Sequence, residues 1–107
     1  MTVQSDSVHE IELELRRVVD RLNSMPLDRA ATATADCQRT AEILLAQTRL
    51  LTDDIPADAQ IPTLGPSGLG ALIAVLGRDY LNAARTADAK DLTPVLVALV
   101  ALRRALP

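Results

Sequence analysis

The chain has 107 residues, a length that suits one domain with one core, and 49% of them are hydrophobic. Aromatic residues make up only 1%, with Tyr80 the single one, so the core must be built from Leu, Val, Ile and Ala, which favours packed helices over sheets. The formal charge of −3 divides into net −5 over residues 1–60 and net +2 over 61–107; neither half is basic enough to neutralise phosphates, which argues against nucleic-acid binding.

The first predicted helix opens at a capping box, Ser7 followed by Glu10, and residues 1–6 are expected to be disordered. Val8, Ile11, Leu15, Val18, Leu22 and Met25 recur at spacings of three and four and place one apolar stripe on a helix ending near Ser24. Glu10, Glu12, Glu14, Arg16, Arg17, Asp20 and Arg21 take the opposite faces, with Glu12–Arg16 and Glu14–Arg17 spaced as surface pairs. Leu13 is an apolar residue on the polar side.

Pro26 suits a first helical turn and Asp28 an N-cap, so a second helix is expected from Leu27 to Thr52. Its stripe, Leu27, Ala30, Thr34, Cys37, Ala41, Leu44, Thr48 and Leu51, follows a heptad register filled largely with small residues. Such a seam lets two helices approach closely without deep interdigitation. Residues 53–66, "DDIPADAQIPTLGP", contain three prolines and form a long irregular connection, the expected hinge.

The third predicted helix runs from Ser67 to about Ala87. Leu69, Leu72, Ile73, Leu76, Tyr80, Ala83 and Ala84 point inward, and a second stripe of Gly70, Ala74, Gly77, Leu81 and Ala84 is almost bare of side chains. Glycine within a helix costs about 1 kcal/mol relative to alanine, so two on one seam indicate close packing. The spacing Gly65, Gly68, Gly70 also raises a phosphate cradle, but a proline-rich loop precedes it where a strand is needed and no Lys follows. The fourth helix, "DLTPVLVALVALRRALP", has Asp91 or Thr93 as its cap and Pro94 in its first turn. It is apolar on every face and is expected to be buried all round.

These elements predict an all-α single domain over residues 1–107, an antiparallel four-helix up-and-down bundle. Its apolar surplus predicts a homodimer through the C-terminal helices, with Leu13, Gly70, Ala74, Gly77, Val97 and Val100 as interface residues.

Few side chains suggest chemistry, and no catalytic, cofactor-binding or metal-binding residue is assigned. His9 stands near Glu10, Glu12 and Glu14, but bundle di-metal sites need a Glu-x-x-His order on two helices, which one His cannot supply. Cys37 lacks a neighbouring base in sequence and reads as a small core residue. Tyr80 reads as a core residue with a polar tip. Arg103 and Arg104 favour a helix C-terminus, with a partner-docking patch as the second possibility.

A single cysteine forms no internal disulfide and fits a reducing cytoplasm. The start "MTVQSDSVHE" lacks the basic and apolar regions of a signal peptide. The longest apolar run, Pro94 to Leu102, is about half of the roughly 20 residues a spanning helix needs, so no membrane association is expected. Ten arginines against one lysine point to a GC-rich coding sequence of bacterial type. The functional expectation is a non-catalytic protein-protein interaction module, a homodimer or a docking partner for another protein, without cofactors. The alternative is a carrier or sensor of a small apolar ligand, with a cavity between the third and fourth predicted helices and Tyr80 or Cys37 at its wall.

Overall fold

The computed structural model describes residues 3–107, with side chains from residue 6 onward. Helix α1 spans Val3–Ser24 and begins about one turn before the expected cap. Ser7 therefore lies inside the helix, and Asp6 supplies the acidic charge that the dipole favours in the first turn. Residues 3–6, expected to be disordered, lie within the span of α1, and residues 1 and 2 lie outside the described part. The apolar stripe is as read: Ile11 and Val18 are fully buried, Val8 and Leu22 nearly so, and Leu15 and Met25 pack against the core at its edge.

The expected second helix is two helices, α2 (Leu27–Thr32) and α3 (Thr34–Arg49), so the described residues form five α-helices rather than the four expected. The break falls at Ala33, whose φ of −93° and ψ of 0° leave the α-helical well. Its neighbours promote the break. The Thr32 hydroxyl donates to the Arg29 carbonyl and the Thr34 hydroxyl to the Ala31 carbonyl, and such back-bonding competes with the helical ladder. The bend sends the Ala33 methyl into the core and turns Leu27 out, 61% exposed rather than buried. Pro26 occupies the N-cap and Asp28 the first turn, one step on from the expected arrangement.

A short 3-10 turn at Pro66–Gly68 leads into α4 (Leu69–Ala87). α4 closes with Asp88 in the left-handed conformation, φ 52° and ψ 48°. The Ala89 amide then reaches the Ala84 carbonyl and the Asp88 amide the Arg85 carbonyl, the Schellman pattern. α5 spans Thr93–Ala105, and its first amide donates to Asp91 Oδ1 at 3.1 Å. The Thr93 side chain, by hydrogen bonding, and then this amide hold the Asp91 carboxyl below its usual range.

Side-chain pairings set the helix directions. Glu12 meets Arg85, Leu15 lies against Gly77 and Asn23 against Gly70, so α1 and α4 are antiparallel. Glu14 meets Arg103 and Arg21 donates to the main-chain oxygen of Pro107, so α1 and α5 are parallel. α3 ends beside the C-terminal half of α4 and begins beside the C-terminal half of α5. α1 and α3 each pack on α4 and α5, and these four interfaces carry the helix packing.

The order is therefore up, down, down, up, and it corrects the up-and-down ring, in which every consecutive pair would be adjacent and antiparallel. Consecutive α3 and α4 are parallel. A chain leaving α3 must travel back along its length, about 24 Å for 16 residues, before α4 can start in the same direction. That requirement explains the long irregular segment after Arg49, whose guanidinium anchors it by donating to the Ala59 carbonyl at 2.8 Å and the Pro56 carbonyl at 3.3 Å. Ile61 packs against the core on the way back.

At the centre are Tyr80, Ile11, Leu44, Leu69, Ile73, Leu99, Val18, Val95 and Cys37, each essentially without solvent exposure. Val95, Leu99 and Leu102 bury one side of α5 only; its other side, expected to be covered, faces solvent.

Candidate functional site

The residues expected at an interface separate into two groups. Gly70 and Gly77 are buried against α1 of the same chain, so their bare seam serves internal packing. A Cβ on Gly77 would stand 2.6 Å from Leu15 Cδ1, and one on Gly70 would overlap Asn23 Oδ1. No described glycine has a positive φ. Their role is to lack a side chain. Leu13, Ala74 and Val100 are half-buried, and Val97 is 59% exposed.

On α5 the outward face follows from the helical period. Thr93, Val97, Val100 and Arg104 succeed one another at spacings of four, three and four, with Pro94 and Ala101 flanking them. All except Val100 are exposed. The face carries no charge until Arg104 at its end.

Cys37 and Tyr80, expected at a cavity wall, are core residues. Burial, reinforced by the neighbouring Asp36 charge, pushes the Cys37 thiol up to about 11, which keeps it protonated and weakly nucleophilic at neutral pH. Burial and then the Asp91 charge raise the Tyr80 phenol as well. His9 is exposed on the first turns of α1, while Glu12 is engaged by Arg85. Among the described residues no three His, Cys, Asp or Glu side chains gather as a metal-binding group.

A cleft of about 350 Å³ opens between the C-terminal halves of α3 and α4 and the start of the crossover. Leu51, Ile55, Ala83 and Ala87 give it an apolar wall, and Asp54 and Asp79 stand among its polar residues. A second cleft of about 350 Å³ lies between α1 and α4, lined by Glu12, Leu15, Arg16, Arg78, Leu81, Asn82 and Arg85.

Two charged contacts join helices far apart in sequence. Glu14, expected on the surface with Arg17, is 8% exposed and also receives Arg103 Nε at 2.6 Å. Arg103 therefore ties α5 to α1 rather than only facing its own helix end. Arg85 holds Glu12, so the expected Glu12–Arg16 pair is not made. No local spacing signals either contact, because both depend on which helices become neighbours.

The chain matches no known protein-family model, no curated protein and no solved structure. No helix among the described residues is long and apolar enough to cross a membrane.

Proposed function

We propose that this protein is a non-catalytic helical interaction module that self-associates through the outward face of α5. The observation that carries the reading is Val97, 59% exposed at the middle of an uncharged stripe formed with Thr93, Val100 and Ala101. Burying such a face removes apolar surface from water without desolvating any charge. Two copies meeting across a two-fold axis would cover it with the same face.

The size of the element limits the strength of the contact. α5 has 13 residues, a length of about 20 Å, and a single face of that length buries less than the roughly 800 Å² per partner of a standard interface. The dimer is accordingly weak and concentration-dependent. Sedimentation velocity over a range of concentrations tests it: the native chain should shift from monomer to dimer, and Val97→Glu should stay monomeric. A native chain that remains monomeric throughout overturns the reading, as does a dimer indifferent to Val97→Glu.

A second reading, a carrier of a small apolar ligand, draws its support from the cleft between α3, α4 and the crossover. Its volume falls within the lower range for small-molecule sites. An apolar fluorescent dye should brighten on binding there, and Ala83→Leu should suppress the signal by filling the wall.

A further inference from the structure

We propose that the cleft between α1 and α4 is a binding site for a small phosphate monoester, held between the guanidinium groups of Arg16 and Arg78. This site is independent of the α5 face. Its geometry begins with Gly77. Because residue 77 has no side chain, α4 comes close enough for Leu15 to occupy the space a Cβ would take. The residues one position further on each helix, Arg16 and Arg78, then line the same cleft from opposite walls.

The local charge balance singles out this end of the cleft. Glu12 stands one turn before Arg16 and Asp20 one turn after it, the two carboxylates that helical spacing would pair with it, and Asp20 makes no ion pair among the described residues. Glu12 is instead held by Arg85, across the groove and at its far end. Arg16 and Arg78 consequently make no ion pair among the described residues, and two cations face one cleft without a counter-charge in a chain whose net charge is −3. Glu12 lines the cleft as well, but its charge is matched by Arg85.

A dianion is the complement to two guanidinium groups, and their planar donor pairs fit the oxygens of a phosphate. Asn82, one turn from both Arg78 and Arg85, adds an amide that can donate or accept. Leu15 and Leu81 contribute apolar surface beside this polar end, which favours a monoester carrying a compact organic group over inorganic phosphate. The cleft volume of about 350 Å³ limits that group to a small molecule.

The test uses the full chain with arginine side-chain nitrogens observed by NMR. Phenyl phosphate should shift the Arg16 and Arg78 Nε–H signals saturably, more tightly than inorganic phosphate, and benzoate at equal ionic strength should bind more weakly than either. Arg16→Gln with Arg78→Gln should weaken phenyl phosphate about tenfold or more, whereas Arg104→Gln, exposed on α5 and not lining this cleft, should not. Both target arginines are exposed and unpaired, so the double variant should melt as the native chain does. Absence of saturable shifts in the native protein overturns the proposal without reference to any variant. So does an equal response at Arg104, or binding that survives the double substitution. Tight binding to phosphatidic acid vesicles with no response to soluble phenyl phosphate would assign the arginines to a lipid surface and overturn the small-molecule site.

Discussion

Arg103 Nε donates to Glu14 Oε2 at 2.6 Å, joining the last turns of α5 to the middle of α1. Arg17 Nη1 donates to the other carboxylate oxygen at 3.0 Å, so a buried glutamate sits between two arginines. The Arg103 hydrogen bond is the main influence that holds the Glu14 carboxyl below its ordinary value, against the opposing effect of burial. Arg103→Gln should lower stability by about 1–3 kcal/mol, because it leaves a largely buried carboxylate with one partner. Denaturant titration at neutral pH measures this.

The same pair makes stability depend on pH. A carboxyl depressed in the folded state stabilises the fold above its unfolded value, near 4.5, and that contribution disappears as pH falls through the folded value. The stability advantage of the native chain over Arg103→Gln should therefore be full at pH 7 and shrink on acidification below about 4.5. A difference that stays constant down to strongly acidic pH would contradict the pairing.

Gly70 and Gly77 lie on one seam but should respond differently to alanine. At Gly70 the new methyl meets the tip of the exposed Asn23 side chain, which can swing aside, and the helix propensity gain of about 1 kcal/mol should leave stability equal or higher. At Gly77 both Leu15 methyls and its Cγ are in the way, at 2.6, 2.7 and 3.2 Å. Overpacking there costs about 1–3 kcal/mol and should outweigh the propensity gain. Adding Leu15→Ala to Gly77→Ala should cost less than the sum of the two single changes, and a double-mutant cycle of thermal melts would expose an additive result.

Cys37 should resist alkylation in the folded protein at pH 8, since its thiol is fully buried and pushed up to about 11. Labelling by iodoacetamide, followed by intact mass, should proceed at the rate of opening and become fast in denaturant. Rapid labelling under native conditions would place Cys37 outside the core.

Asp88→Gly should raise stability by about 1 kcal/mol, because a left-handed φ of 52° is strained for a side-chain-bearing residue and free for glycine. The Schellman bonds at the end of α4 remain available to glycine. Thermal unfolding of this one variant decides the matter.

Much of the local structure was legible in the sequence because it depends on contacts three and four residues apart. The stripe from Val8 to Leu22, the turn into α4 at Pro66, the end of α4 at Ala87 and the start of α5 at Thr93 all follow from periodicity and the positions of proline and threonine. The break at Ala33 was hidden, since alanine is the strongest helix former and the flanking threonines only weaken the ladder. Tertiary packing took the bend because it brings the Ala33 methyl into the core.

By itself the sequence determined that this chain is helical, that its core is nearly free of aromatic rings, and that Gly70 and Gly77 lie where a helix must come close. Only the tertiary structure decided that the partner is α1, that α3 and α4 run parallel with the crossover returning between them, and that Glu14 belongs to Arg103 while Glu12 leaves Arg16 for Arg85. Periodicity says which face of a helix is buried but not against which other helix. Every ion pair and cleft between helices depends on that second choice.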